Sequence, residues 1–331
     1  MAERFVSDAS QYIDKINAQS FDNIALELFR YQHANNSIYR SFCDILGVNA
    51  AEVNSLTTIP YLPISFFKTH EVVTGSGNEP EIVFESSRTT GDNPSRHSVF
   101  DPALYRETVL KGFKAFYGAP EDYCILALLP SYLERSNASL VYMAKMLMDC
   151  SGHRYNGFYL NEWEKLQATI DQLEQERQPT LLLGVTFALL DFAEAYRINP
   201  LYTKVMETGG MKGRKEEQTR EQVHNYLMER WHLSSVHSEY GMTELLSQAY
   251  SAGSGEYRCI STMKVLIRDL NDPTDVTAYG SGCLNIIDLA NVDSCAFIAT
   301  EDLGAVQSNG MFKVFGRMDN TMLRGCSLMT A

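Results

Sequence analysis

The sequence predicts an α/β fold in which mostly parallel sheets are flanked by helices and a β-rich part follows toward the C-terminal end. Two observations lead to this prediction. Short apolar runs alternate with helical stretches through the middle of the chain, and from about Gly253 onward Gly, Asn and Asp interrupt shorter runs. The first pattern is typical of repeated strand and helix units, and the second of antiparallel strands joined by turns.

The first 60 residues are predicted to be helical. Apolar residues recur at helical spacing over Phe21–Tyr39, and a second stretch over Phe42–Leu46 leads into a turn at Gly47. We therefore expect residues 1–60 to form an N-terminal helical layer.

Residues 61–252 are predicted to form an α/β core. Buried strands are predicted at Val83–Phe84, Ile125–Leu129 and Leu181–Val185. Helices are predicted at Pro102–Tyr117, Ser139–Cys150 and Glu162–Gln175.

Residues 253–331 are predicted to form a β-rich subdomain. Its expected strands are Met263–Ile267, Gly282–Asp288 and Met311–Phe315. A chain of 331 residues with 45% hydrophobic side chains is long enough to build one large domain around such a core.

Composition excludes several classes of function. A formal net charge of −13 argues against nucleic-acid binding, which requires a basic face. The longest apolar runs are too short to cross a bilayer and the first residues do not resemble a signal peptide, so we expect a cytoplasmic protein. Seven scattered cysteines without a Cys-x-x-Cys pair favour neither a zinc site nor disulfides, and Cys124 and Cys283 are expected in the core.

A cluster of hydroxyl side chains ending in glycine follows the first predicted strand. Segment Phe84–Asn93 contains Ser86, Ser87, Thr89, Thr90 and Gly91. Backbone amides and hydroxyl groups in such a loop can surround phosphate oxygens. An ordinary solvated turn or a helix cap has the same composition, so the residues alone leave both interpretations open.

A second cluster places an aromatic ring, a glycine, a hydroxyl and a carboxylate within five positions. Tyr240 can stack on a purine, Thr243 can hydrogen-bond a phosphate, and Glu244 can bind Mg²⁺ through oxygen. The alternative is a strand end followed by a helix that Thr243 or Ser238 caps.

A third cluster combines an acid with an arginine. Asp302 lies in Thr300–Gly304 and can accept hydrogen bonds from both hydroxyls of a ribose, while Arg317 lies in Gly316–Asn320 and supplies a planar cation. Two β-turns joined by a surface salt bridge are the alternative.

In this order, the clusters resemble the adenylate-forming superfamily. Ser86–Gly91 resembles its phosphate loop, with Arg88 at a position where glycine is usual, and Tyr240–Glu244 closely matches its central signature. Thr300–Gly304 and Gly316–Asn320 resemble its ribose-binding acid and its arginine-plus-hinge segment. Glu207–Gly210 resembles its adenine-side loop. The resemblance implies the fold of the superfamily's large N-terminal domain and nucleotide-binding roles for Ser86, Ser87, Thr89, Thr90, Gly91, Gly209, Gly210, Tyr240, Gly241, Thr243, Asp302 and Arg317.

Within this superfamily the chain is most similar to LuxE-type acyl-protein synthetases, the long-chain-fatty-acid protein ligases. The resemblance covers nearly the whole chain from about Pro60. The segments that carry it are Pro63–Thr69, Leu129–Ser136, Thr208–Gly213 and Arg324–Ser327.

The resemblance implies an acid–thiol ligase that uses ATP and Mg²⁺ and converts a carboxylic acid, expected to be a fatty acid, into acyl-AMP. The catalytic residues it implies are Glu244, which would hold Mg²⁺, Lys68, and Cys326, which would accept the acyl group before a reductase or carrier protein does. An ordinary thiol is the alternative for Cys326. Further candidate cations are Arg88, Lys212 and Arg214.

The chain departs from most adenylate-forming enzymes in its length. The sequence ends at Ala331, so we expect no C-terminal swivelling domain with a catalytic lysine. A truncated phenylacetate-type acyl-CoA ligase and a non-catalytic nucleotide-binding or acyl-binding protein remain alternative functions.

Overall fold

The computed structural model describes residues 5–75, 79–86, 93–129, 137–209 and 218–318. Packing divides them into two compact units. The first unit takes the described residues of Met1–Val109, Thr243–Gln248 and Arg258–Ala331, and the second takes those of Leu110–Met242 and Ala249–Tyr257. The division of the sequence into 1–60, 61–252 and 253–331 stays a prediction.

The bounds of the elements set the frame for the candidate site. The α-helices found in these ranges are α1 (Ala9–Lys15), α2 (Phe21–Asn35), α3 (Ser37–Ile45), α4 (Phe66–Thr69), α5 (Pro102–Tyr117), α6 (Ser139–Ser151), α7 (Trp163–Gln175), α8 (Thr186–Ala195) and α9 (Arg220–Trp231). The strands are β1 (Leu62–Pro63), β2 (Ile82–Glu85), β3 (Arg96–Val99), β4 (Cys124–Leu128), β5 (Gly157–Phe158), β6 (Thr180–Val185), β7 (Thr203–Thr208), β8 (His237–Tyr240), β9 (Ala249–Ser251), β10 (Arg258–Cys259), β11 (Met263–Arg268), β12 (Val276–Thr277), β13 (Gly280–Asp288), β14 (Phe297–Val306) and β15 (Phe312–Arg317). Of the helices described, none has both the length and the apolar character that crossing a bilayer requires.

The second unit is built around a mostly parallel sheet. Its strands follow the order β9-β8-β7-β6-β4-β5; the described pairs from β8 to β5 are parallel, and the β8–β9 pair is antiparallel. Every residue of β4 and β6 is buried, Cys124 included, as expected for strands that have apolar side chains on both faces. The sequence pattern correctly predicted both strands.

The first unit contains an antiparallel sheet with one parallel pair. Its path is β1-β14-β13-β11-β12, with β15 paired to β14, and β1 runs parallel to β14. The three strands predicted from the turn-rich pattern correspond to β11, β13 and β15. Cys283 is fully buried in β13. The predicted α/β class, with a β-rich later part, is confirmed.

One predicted strand belongs to a different sheet from the one expected. Val83–Phe84 lies in β2, which forms a separate antiparallel hairpin with β3 and does not join the parallel sheet. β2 and β3 pair antiparallel because only residues 86–95 separate them, whereas a parallel pair requires a crossover of a dozen residues or more.

The N-terminal helix also differs from the prediction. The continuous helix expected over Phe21–Tyr39 is broken at Asn36, which has extended backbone angles (φ −115°, ψ 108°) and caps α3 by accepting a hydrogen bond from the Tyr39 amide at 2.9 Å. Asn36 Nδ2 donates to Thr74 Oγ1 at 3.2 Å and to the Ser294 carbonyl at 3.1 Å. These tertiary contacts override the helical spacing of the apolar residues.

The helical layer packs on the first unit's sheet through aromatic rings. Tyr39 stacks on Phe297 of β14, with ring centroids 6.0 Å apart, and Phe29 meets the same ring edge-on at 6.1 Å. Gln32 Nε2 donates to the carbonyls of Asn291 and Val292 at 2.8 and 2.9 Å. The layer therefore holds the loop that follows β13.

Candidate functional site

A pair of serines closes the base of the hydroxyl-rich loop. Ser86 follows β2 and Ser95 precedes β3. The Ser86 amide donates to the Ser95 carbonyl at 3.0 Å, and the Ser95 amide donates to Ser86 Oγ at 2.9 Å. The segment predicted to hold phosphate is thus the connection of a short hairpin.

Glu244 lies beside this base in the first unit. Its side chain is buried, with 5% of the residue exposed, and it accepts a hydrogen bond from the Ser95 hydroxyl. Burial raises the pKa of Glu244, while the Ser95 hydrogen bond and the positive charges of Arg317 and Lys68 oppose that increase. Residues from three other segments, Lys68, Ser95 and Arg317, therefore act on the Glu244 carboxylate.

Asp302 and Arg317 are cross-strand partners in β14 and β15. Arg317 Nε lies 3.7 Å from Asp302 Oδ1, and the two side chains are 67% and 13% exposed. The Asp302 amide donates to Thr300 Oγ1 at 3.1 Å. The salt bridge weighed as the alternative is formed. Because the Arg317 side chain is largely exposed, this salt bridge contributes little stability, and breaking it to bind a ligand would cost little.

The residues predicted to contact adenine follow adjacent strands of the second unit. Tyr240 ends β8, with Gly241 exposed after it, and Gly209 comes directly after β7. Thr208 of β7 is in register with Glu239 of β8. The carboxyl ends of parallel strands are the usual place for ligands in an open α/β sheet.

Tyr240 is held by a second tyrosine. Its ring centroid lies 5.8 Å from that of Tyr257 at an interplanar angle of 59°, and only 8% of Tyr240 is exposed. In turn, the Arg220 guanidinium lies 5.1 Å from the centroid of the Tyr257 ring.

A buried acid supports the adenine-side loop. Thr186 Oγ1 contacts both Glu207 Oε1 and the Gly209 carbonyl. Glu207 Oε2 lies 3.6 Å from Arg220 Nε and 3.9 Å from His224 Nε2. Burial alone would raise the pKa of Glu207, but the nearby His224 ring, the charge of Arg220 and the Thr186 hydroxyl together hold it below its ordinary value.

Sequence reasoning missed a buried acid of the first unit, Asp288. Asp288 accepts hydrogen bonds from the amides of Leu246 and Ser247 at 2.7 and 3.0 Å, and from the Ala290 amide at 3.0 Å. It thereby fixes the segment that follows Glu244. No local pattern marks such residues, because their partners lie about 40 positions away.

Part of the predicted site lies outside the described residues. Lys68 is exposed at the end of α4, and Thr243 is partly exposed beside Glu244. The predicted site residues that lie outside the described ranges are Ser87, Arg88, Thr89, Thr90, Gly91, Gly210, Lys212, Arg214 and Cys326.

The donor set around Glu244 fits a magnesium ion carried by a nucleotide. Across the ranges that the structure describes, no cluster of three or more His, Cys, Asp or Glu side chains is placed to hold a metal alone. Mg²⁺ is commonly bound through one or two carboxylates together with the phosphates of its substrate, and Glu244 supplies one such carboxylate.

Two solved structures have similar mixed α/β folds. ATP-bound MatB from Rhodopseudomonas palustris shares 14% identity with a TM-score of 0.53, and the match covers 74% of this chain and 50% of that one. The luciferase-like enzyme from the nonluminescent mealworm Zophobas morio shares 15% identity with a TM-score of 0.51, covering 74% and 59%. This chain spans about half of one structure and 59% of the other, and at these identities the likeness concerns the fold alone.

The sequence itself has a curated relative and a family. A long-chain-fatty-acid–luciferin-component ligase of Vibrio harveyi is 33% identical over 87 residues, which are 26% of this chain and 23% of the relative. The family model described as acyl-protein synthetase, LuxE, matches residues 5–331, and this chain therefore belongs to the LuxE acyl-protein synthetase family.

Proposed function

We propose that the protein activates a carboxylic acid with ATP and transfers the acyl group through a cysteine to a partner protein. The observation that carries the proposal is the buried carboxylate of Glu244 beside the base of the β2–β3 hairpin, where the Ser95 hydrogen bond and the charges of Arg317 and Lys68 favour its ionised form. Membership of the acyl-protein synthetase family supports it. ATP bound to the solved neighbour MatB supports the choice of nucleotide.

In the proposed first step, a carboxylate oxygen of the acid attacks the α-phosphorus of ATP. The bond to pyrophosphate breaks, and acyl-AMP forms. Both reactants are anions, so the protein's task is to hold them in line and to offset their charge. Lys68 and Arg317 supply positive charge, and Ser95 keeps the Glu244 carboxylate in place. Mg²⁺, when bound at Glu244, would neutralise phosphate charge.

The remaining residues would bind the adenosine part. In this proposal Tyr240 would stack on adenine, and Asp302 would accept hydrogen bonds from the ribose hydroxyls. Gly209 directly follows β7 and has a positive φ of 75°, a conformation that glycine adopts readily because it has no Cβ. Gly210, Gly241 and Thr243 complete this set.

The proposed second step moves the acyl group to sulfur. The Cys326 thiolate attacks the acyl carbonyl carbon, AMP leaves with its electron pair, and a thioester forms. A reductase or carrier protein then takes the acyl group. The printed name of the Vibrio harveyi relative supports a long-chain fatty acid as the substrate.

Acid-dependent exchange of labelled pyrophosphate into ATP tests the first step. We expect exchange with long-chain fatty acids in the presence of Mg²⁺, and its loss in Glu244→Gln. ATP binding without exchange for any acid would contradict the proposal and would favour a non-catalytic binding protein.

Labelled fatty acid retained on the protein tests the second step. We expect the label to stay on the wild type, to be released by hydroxylamine, and to be absent from Cys326→Ser. The matched control is Cys150→Ser in α6, which should keep the label. Formation of a CoA thioester unaffected by Cys326→Ser would instead indicate a CoA ligase.

A further inference from the structure

A buried histidine of β3 contacts the segment that carries Glu244. His97 is 1% exposed. Its Nδ1 lies 2.9 Å from the Thr243 carbonyl oxygen, and its Nε2 lies 2.9 Å from Asn291 Oδ1. These partners are 146 and 194 positions away in the sequence, so the ring links three separate parts of the first unit.

The orientation of the Asn291 amide is fixed by its other contacts. Asn291 Nδ2 donates to the Glu244 carbonyl at 2.8 Å and to the Cys295 carbonyl at 3.0 Å. Only an amide nitrogen can donate to two carbonyls, so the amide oxygen must face His97. That oxygen and the Thr243 carbonyl oxygen are both acceptors, so the ring donates to both only when both of its nitrogens carry a proton, and the neutral ring donates to one of them. The consecutive carbonyls of Thr243 and Glu244 are therefore held by two neighbouring side chains.

The same ring packs against the helix that carries Lys68. Phe67 of α4 is 1% exposed and meets His97 edge-on, with ring centroids 5.9 Å apart and an interplanar angle of 87°. Two residues before His97, Ser95 hydrogen-bonds the Glu244 carboxylate. Lys68, Ser95 and Glu244 thus belong to three segments that meet at one buried imidazole.

Among the residues that the structure describes, the ring has almost no accessible surface that a substrate could contact, because His97 is 1% exposed. The cavity lined by His97, Asn291 and Leu246 has a volume of about 10 Å³. That is space for about one water molecule. An effect of His97 on nucleotide chemistry would therefore pass through Thr243 and Glu244.

We propose that His97 and Asn291 are positioning residues for the nucleotide-binding acid Glu244. They hold the backbone carbonyls of Thr243 and Glu244, and this contact fixes the position of the Glu244 carboxylate beside Ser95. This inference rests on the proposed function. A buried carbonyl that loses its donor shifts to find another, and a small displacement of a charged group is enough to impair binding and catalysis. We call the two residues the His97–Asn291 brace.

Two substitutions separate the donor from the ring. His97→Leu removes both polar contacts, whereas His97→Asn keeps an amide nitrogen near the position of Nδ1, within reach of the Thr243 carbonyl. We expect His97→Leu to weaken Mg²⁺–ATP binding, measured by titration calorimetry, by about tenfold or more, and to slow pyrophosphate exchange at least as much. His97→Asn should restore most of both. The matched control, His33→Asn in α2, should change neither.

A double-mutant cycle distinguishes positioning from general loss of structure. In a Glu244→Gln background, His97→Leu should weaken Mg²⁺–ATP binding by less than about twofold, because the group that the brace positions has lost its charge. Full additivity of the two effects, or unchanged binding and exchange in a folded His97→Leu variant, would overturn the inference.

A second pair of variants serves if His97→Leu does not fold. His97→Gln places its amide nearer the position of Nε2 and leaves the Thr243 carbonyl without its donor, so it should bind Mg²⁺–ATP more weakly than His97→Asn. Equal binding by the two folded variants would contradict the brace. Absence of Mg²⁺–ATP binding and of exchange in the wild type would instead overturn the proposed function, and this inference with it.

Discussion

Glu239 is a buried acid that lies one residue before Tyr240 in β8, and sequence patterns gave no reason to select it. Burial raises its pKa to about 7, the hydrogen bond from Thr208 opposes that increase, and the charge of Glu207 adds to it. Because the folded pKa exceeds that of the unfolded chain, the native protein binds a proton here that the unfolded chain has lost at neutral pH. Stability linked to this proton is fully present in acid and falls as pH rises toward and through about 7.

Glu239→Gln should therefore stabilise the protein at alkaline pH. The amide is uncharged and can still accept the Thr208 hydrogen bond, so we expect a gain on the order of 2 kcal/mol at about pH 8 that disappears by about pH 4. Urea unfolding at both pH values measures it. Glu229→Gln, on the exposed side of α9, is the control and should show no such dependence. A variant no more stable than the wild type at the higher pH would contradict the assignment.

Asp302 is predicted to recognise the ribose hydroxyls of ATP. We expect the wild type to prefer ATP over dideoxy-ATP by about tenfold or more in KM, and Asp302→Asn to lose most of that preference. Its stability should change by less than about 1 kcal/mol, because the Asp302–Arg317 pair is exposed on the arginine side. Pyrophosphate exchange with the two nucleotides measures the preference, with Asp44→Asn as the control. Equal preference in the wild type and Asp302→Asn would remove Asp302 from the ribose site.

Some residues of the candidate site could be selected from local sequence motifs, and others are identified only by their tertiary contacts. Ser86, Glu244, Asp302 and Arg317 were selected from the sequence because each lies in a short segment of distinctive composition. His97, Asn291 and Asp288 were not, because a single buried polar residue has no spacing to recognise and its partners come from other strands.

At the scale of elements, Gly304 marks a close approach between β14 and β15. A Cβ added there would lie 2.2 Å from the Lys313 carbonyl oxygen and 2.8 Å from Leu284 Cδ2. A backbone atom cannot move aside as a flexible side chain can. Gly304→Ala should therefore separate the strands next to Asp302.

We expect Gly304→Ala to destabilise the protein by about 2–3 kcal/mol, measured by urea unfolding. Gly157→Ala in β5 is the matched control, because its added Cβ would meet only the Tyr159 side chain at an ordinary 3.5 Å. It should cost less than about 1 kcal/mol. Equal losses in the two variants would show that strand glycines, and not this close approach, explain the effect.

Asn36 shows why the N-terminal helices were predicted as one. Apolar spacing runs through it without interruption, and only its buried contacts with Thr74 and Ser294 require the break. Asn36→Ala removes a helix cap and two further hydrogen bonds at a fully buried position. We expect it to cost about 2–4 kcal/mol.

An exposed cap provides the comparison for Asn36. Thr219→Ala removes the cap of α9, whose side chain accepts from the Gln222 amide, and should cost only about 1 kcal/mol. Thermal unfolding ranks the two variants. A smaller loss at Asn36 than at Thr219 would mean that its buried bonds add nothing to the cap.

At the scale of the whole molecule, the class of the fold was predictable because the two larger sheets are visible as patterns in the chain. Continuous apolar runs produced β4 and β6, and turn-separated runs produced β11 and β13. The two compact units were not predictable, because the short segment Thr243–Gln248 packs with residues distant in the sequence. His97 precedes Thr243 by 146 positions, and Asp288 follows Leu246 by 42. Hydrogen bonds with His97, Asn291 and Asp288 hold that segment, and single contacts of this kind produce no periodic pattern in the sequence.

The proposed function depends on transfer of adenylate to the oxygen of a carboxylic acid. A long-chain fatty acid carrying heavy oxygen in its carboxyl group, incubated with the protein, ATP and Mg²⁺, tests this most directly, with AMP analysed by mass spectrometry. If acyl-AMP forms and then donates its acyl group to sulfur, the AMP released keeps one labelled oxygen from the acid. AMP or ADP without the label, formed while the acid is consumed, would show that another activation chemistry operates and would contradict the proposed function.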